Sequence, residues 1–190
     1  TNLGVIGSDV TGVGTGRSSL ACTGYGGDKA IFGYGYSAAS PPSHLVSVTN
    51  LITNVGVVGS DVTGVGTVRY ALSAASYGTD KALFGYGTAG PSGLSMTNLV
   101  SNSGVVGSDV SGVGTGRSGP GATGYGGDKA IFAYGYASPS YVSMSNLVSN
   151  SGVVASDVSG VGSARRNLAG TSYGGDKAIF GYGTTGSITG

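Results

Sequence analysis

Apolar and polar residues alternate along this chain in short bursts that end at glycine, and none is long enough to carry a helical period over about twelve residues. The runs "ATGYG" (122–126) and "KAIFAYG" (129–135) meet at Gly126, Gly127 and Asp128, a strong signal for a β-hairpin. A β-branched run follows, "YVSMSNLVS" (141–149), and closes at the turn "NSG". The fourth run, "GVVASDV" (152–158), stops at "SGVG". Four short strands and almost no helix are therefore expected. Along "KAIFGYG" (29–35), strict alternation puts Ala30, Phe32 and Tyr34 on one face and Ile31 on the other. Both faces are apolar, so one sheet cannot hide both and the units must stack.

The same strand set is written four times. "YGGDKAIFGYG" begins at Tyr25 and returns unchanged at Tyr173, with near copies from Tyr77 and Tyr125. "GVIGSDVTGVGT" begins at Gly4, and its counterparts begin at Gly56, Gly104 and Gly152, spaced by 52, 48 and 48 residues. The chain thus reads as one repeat domain with units at 4–55, 56–103, 104–151 and 152–190 plus 1–3. Four strands in about 48 residues is the arithmetic of a β-propeller blade.

The segment "GTGRSGPGATGYGGDKAIFAYG" (114–135) resembles the first two strands of a kelch repeat, and the runs after it occupy the places of the third and fourth. Two features depart from that family: its double glycine is Gly-Tyr-Gly here, and the chain has no Trp. Near-identical units of this kind also resemble repeats in large virion and tail proteins of bacteriophages. The resemblance implies an all-β propeller of four kelch-like blades, one of them shared between the N- and C-terminus. A third strand for that blade, joined from 184–190 and 1–3, comes out about six residues short of those in the other units. Association of several copies into a larger ring or a filament is therefore a second expectation.

Composition narrows the function. The chain has 40 glycines in 190 residues, 39% hydrophobic and only 9% charged residues, and a net charge of +1. Such a balance steers neither nucleic acid nor an anionic membrane surface toward it. No apolar run approaches the eighteen or so residues of a membrane helix, so no membrane insertion is expected. Cys22 is the single cysteine and stands where other units have Ala74, Ala122 and Gly170, so it is expected as a small buried residue.

The charges follow the repeat. All eight acids are aspartates in two registers: Asp9, Asp61, Asp109 and Asp157, then Asp28, Asp80, Asp128 and Asp176. Arg17, Arg69, Arg117 and Arg165, with Lys29, Lys81, Lys129 and Lys177, keep the same spacing. Charges recurring once per unit read as framework, pairing and capping turns. Catalysis needs different groups in different roles, and little here breaks the symmetry. His44, the sole histidine, lies in the insertion "SAASPPSHL", and a Ser-His-Asp site there is disfavoured. The count of Cys and His excludes a Cys/His metal cluster. "GVGTGRS" lacks the Lys of a phosphate loop, and a lone aspartate in "SDVTGVG" is too little for calcium. No cofactor or metal is expected.

What varies is loops. The segments 36–46, 88–94 and 136–142 all join the second and third strands, and a second set follows the arginines. They carry Tyr36, His44, Tyr136, Tyr141 and Arg166, the residues expected to contact a partner, with aromatic rings suited to stack on sugars or pack on protein. The expected function is a non-enzymatic binding or display module for a glycan or protein surface, outside cells or on a virion or cell surface. The rival is a structural subunit that self-associates by sharing strands at its incomplete blade.

Overall fold

The computed structural model describes residues 4–41 and 43–186. Among them are eleven β-strands and no helix, so the chain is all-β. Unit 1 supplies β1 (Ala21–Tyr25), β2 (Lys29–Gly33) and β3 (Thr49–Ile52). Unit 2 supplies β4 (Ser73–Tyr77), β5 (Lys81–Gly85) and β6 (Thr97–Val100). Unit 3 supplies β7 (Gly121–Tyr125), β8 (Lys129–Ala137) and β9 (Ser140–Val148), and unit 4 supplies β10 (Ala169–Tyr173) and β11 (Lys177–Gly181). Each of the first three sets forms a three-stranded antiparallel sheet in chain order, and β10–β11 is a two-stranded one.

The expected hairpins form in a common register, with Tyr25 opposite Lys29 and Tyr77, Tyr125 and Tyr173 paired likewise. The chain reverses through left-handed backbone at Gly26 and Gly27 (φ 62° and 80°), which glycine adopts without a Cβ penalty. The fourth run does not form a full strand. It touches the third at two isolated bridges, Thr49 with Val62 and Ile52 with Val58 after β3, and the runs after β6 and β9 repeat this. Between the bridges a side chain replaces the ladder: Asn50 Nδ2 donates to the Gly59 carbonyl at 3.1 Å and to Asp61 at 2.9 Å.

Stacking buries both faces of the two inner sheets, and it corrects the alternation read along "KAIFGYG". Phe84 meets Tyr34 of the preceding unit, whereas Tyr86 meets Phe132 of the following one, with ring centroids 5.2 and 5.0 Å apart. The Phe and Tyr of one strand therefore point in opposite directions. The cause is left-handed backbone at the tyrosine (φ 63° at Tyr34, Tyr86, Tyr134 and Tyr182), which breaks the two-residue period. Each junction then joins a trailing face to a leading face. At the first, Ala21, Tyr25, Ile31 and Tyr34 pack on Leu72, Ala82, Phe84 and Val100. At the second, Ala75, Tyr77, Leu83 and Tyr86 pack on Ala130, Phe132 and Val148. Burying a large apolar side chain fully is worth about 1.5–3 kcal/mol, so each of these two junctions is a core in its own right.

Backbone hydrogen bonds run between units as well. Gly26, Gly78 and Gly126 donate to the carbonyls of Asp80, Asp128 and Asp176, and Gly35, Gly87 and Gly135 donate to those of Arg69, Arg117 and Arg165. A third column climbs from Ser19 through Ala71 and Gly119 to Asn167. Leu20, Leu72, Pro120 and Leu168, one from each unit, line a shared cavity of about 190 Å³. Cys22 also lines it and is exposed, contrary to the expectation of burial, because it belongs to the first unit, where no described unit precedes it. Among the described residues no sheet covers the outer face of β10–β11, where Tyr173, Ile179 and Tyr182 are exposed. The expected joining of 184–190 with 1–3 lies largely outside the described residues.

Candidate functional site

Two sets of side chains repeat or gather in space. The first is a clamp built once per junction. Arg69 is fully buried, although arginine is rarely so, because every face of its guanidinium is used. Nε donates to the Tyr86 carbonyl at 2.9 Å, Nη1 to that of Thr67 at 3.0 Å and Nη2 to Asn98 Oδ1 at 2.6 Å. Its plane lies over the Tyr34 ring, 4.3 Å from the centroid. Arg117 sits over Tyr86 at 4.1 Å and Arg165 over Tyr134 at 4.8 Å. Arg17 keeps the bonds to Thr15 and Asn50, and no described tyrosine covers it. Burial pulls the pKa of Arg69 and Arg117 below the usual arginine value, and it pushes Tyr34 and Tyr86 up.

Asp109 completes the clamp, accepting from the Thr67 hydroxyl at 2.7 Å and backbone at 3.0 Å, and from Asn98 Nδ2 at 2.9 Å. Asp61 and Asp157 do the same with Thr15 and Asn50, and with Thr115 and Asn146. Asp9, the first of this register, is exposed. In the second register, Asp28, Asp80 and Asp128 accept from Asn54, Asn102 and Asn150, tying the hairpin turn to the turn after the third strand. Each also faces the next lysine, as Asp176 faces Lys177, at 2.8–3.4 Å in the open. The asparagines of both networks were not singled out in the sequence, although Asn50, Asn98 and Asn146 recur at the repeat spacing.

The second set lies on the edge that carries the long loops. β8 and β9 extend past the lengths of their counterparts, and Tyr136 stands opposite Tyr141 in their register. The two rings meet edge to face at 5.4 Å. Ser118 pairs with Tyr136, and Arg166 is the counterpart of Ser118 one unit on, so stacking sets Arg166 over both rings at 5.3 and 5.5 Å. Tyr141 also walls a shallow groove of about 380 Å³ with Ser143, Met144, Asp157, Ser159 and Ala164. Tyr136, Tyr141 and Arg166 are therefore brought together. Tyr36 and His44 form a separate pair on unit 1, their rings 5.4 Å apart.

The Asp157 carboxylate at the groove keeps a pKa below its ordinary value. Burial acts to raise it, and the hydrogen bonds from Thr115 and Asn146 outweigh that effect. An anionic acceptor, two serine hydroxyls and an aromatic wall give the groove the means to hold a polar, hydroxyl-bearing ligand. Among the described residues no group of three or more His, Cys, Asp or Glu is placed to hold a metal ion. No protein-family model matches the chain, and no curated protein matches it either.

Proposed function

We propose that the chain is a non-enzymatic display module, a stack of kelch-like units forming a sector of a propeller, which offers its loop-bearing edge to a glycan. The observation that carries this reading is the gathering of Tyr136, Tyr141 and Arg166 beside the groove lined by Ser143, Ser159 and Asp157. Aromatic faces bind the apolar face of a sugar ring, while hydroxyls and a carboxylate take its hydroxyl groups. The propeller reading draws support from a cavity that all four units line with residues in or just before their first strands. His44 stacks on Tyr36, an arrangement that fits a loop-packing role better than a catalytic one.

A glycan array probed with the 190-residue chain and with Tyr141→Ala and Arg166→Ala variants tests the reading. Binding to a defined glycan class should be lost in both variants and kept in Tyr36→Ala, with the thermal midpoint of each variant little changed. Absence of glycan binding, or binding indifferent to Tyr141 and Arg166, rejects it. A protein captured through the same three residues would move the partner from glycan to protein.

A further inference from the structure

Every junction within the chain is a knob in a socket. Tyr34 is the knob of unit 1, fully buried against Arg69, Phe84 and Leu72 of unit 2, with its hydroxyl donating to the Val65 carbonyl at 3.0 Å. Tyr134 repeats that last bond with Val161 at 3.1 Å. The two outer faces of the stack carry the same parts with nothing described in them. Tyr182, the fourth knob, is 91% exposed, and Tyr173 and Ile179 beside it are 52% and 55% exposed, although Tyr25 and Ile31, their counterparts in unit 1, are 4% and 0%. On the leading face of unit 1, Val13, Arg17, Leu20 and Phe32 are the counterparts of Val65, Arg69, Leu72 and Phe84. They line a cavity of about 490 Å³.

The backbone is complementary as well. The Gly174 and Gly183 N–H groups and the Asn167 carbonyl face outward on unit 4, and among the described residues they have no partner. The Asp28 and Arg17 carbonyls and the Ser19 N–H stand likewise on unit 1. These are the three donor–acceptor pairs that join every internal junction.

We propose that the outer face of unit 4 docks on the leading face of unit 1 in a second copy of this chain, with Tyr182 entering the cavity between Arg17 and Phe32. The occupant is a second copy because the two faces repeat surfaces that already join three times within one chain, so the new contact continues an existing interface. The contact is head-to-tail, each copy offering one knob and one socket. It stands independently of the glycan reading, since it uses neither Tyr136, Tyr141 nor Arg166.

Sedimentation velocity of the 190-residue chain over a wide concentration range tests it, with Tyr182→Ser to remove the knob and Val13→Asp to spoil the socket. Both positions are solvent-exposed, so each variant should fold as the parent does. The parent should grow in mass with concentration beyond one chain of 18.3 kDa, and each variant should weaken that association at least about tenfold. Mixed one to one, the variants should recover a complex of two chains and nothing larger, because one intact knob and one intact socket remain. A parent that stays at one chain throughout, association that neither substitution weakens, or a mixture no heavier than its components would overturn the proposal.

Discussion

The guanidinium of Arg69 lies 4.3 Å from the centre of the Tyr34 ring, and neither side chain is accessible to solvent. The two belong to different units, so the cation–π contact joins neighbours, while three hydrogen bonds to Tyr86, Thr67 and Asn98 hold the guanidinium in place within its own unit. Removing the arginine strands the Tyr86 carbonyl and Asn98 Oδ1 in a dry interior. Arg69→Ala should therefore destabilise the chain by about 3 kcal/mol or more, and Arg69→Lys should recover little, since one ammonium cannot reproduce the planar fork. Urea midpoints measure this. Arg165→Ala, whose Nε has no partner among the described residues and whose ring contact is looser at 4.8 Å, should cost clearly less.

Gly85 faces the Phe132 ring so closely that a Cβ there would stand 2.7 Å from Cζ. Gly85→Ala should lower stability by about 1–3 kcal/mol, the usual cost of overpacking a filled core. Gly181 holds the same place in unit 4, and a Cβ there meets nothing within 4 Å. In dilute solution, where the chain is a single copy, Gly181→Ala should leave the thermal midpoint unchanged or slightly raised. Equal losses at both sites would mean that something covers the outer face of unit 4 in solution.

How much of this was legible in the sequence depends on the range of the interaction. The hairpin turns were readable because Gly-Gly-Asp needs only local backbone chemistry, and stacking was readable because apolar residues fall on both faces of one strand. The face of Tyr34 was not, because alternation assumes an unbroken strand and the backbone turns left-handed there. Gly-Tyr-Gly was the available signal, glycines being frequent where a ladder is interrupted. The fourth run looked like a strand by its valines, yet asparagine side chains take the places of ladder bonds beside it. At the candidate site, Tyr136 and Tyr141 were close in sequence and pair across one hairpin. Arg166 reaches them only through stacking of units 3 and 4, a relationship that no local pattern encodes.

Thr79 stands at φ 71°, where the other three units place Gly27, Gly127 and Gly175 at 80–83°. A β-branched residue held in left-handed backbone stores strain, and glycine relieves it at some loss of unfolded-state restriction. Thr79→Gly should raise stability by about 1 kcal/mol, read as a higher urea midpoint. The reverse change, Gly127→Thr, should lower it by a similar amount.

Acid should loosen the stack through the clamp aspartates. The pKa of Asp61 is held below its ordinary value first by the hydrogen bond from Thr15, while burial opposes. For Asp109 burial is the larger single influence and acts upward, but the bonds from Thr67 and Asn98 together carry it below the ordinary value, and Asp157 behaves likewise. A folded-state pKa below the unfolded value of about 3.9 means that the unfolded chain binds protons more readily. The stability these groups add is therefore present above about pH 4 and is lost as pH falls through the folded-state values below it. Urea midpoints between pH 7 and pH 2 should be flat at first and then fall steeply below about pH 4. The triple variant Asp61→Asn, Asp109→Asn, Asp157→Asn should start lower at pH 7, because each carboxylate loses charge-assisted bonds, and should fall less steeply in acid. Some slope should survive in that variant, because Asp28, Asp80 and Asp128 are lowered too, chiefly by side-chain bonds from Lys29 to the first and from Asn102 and Asn150 to the other two. Parallel curves for parent and variant would show that the clamp carboxylates carry none of the acid response.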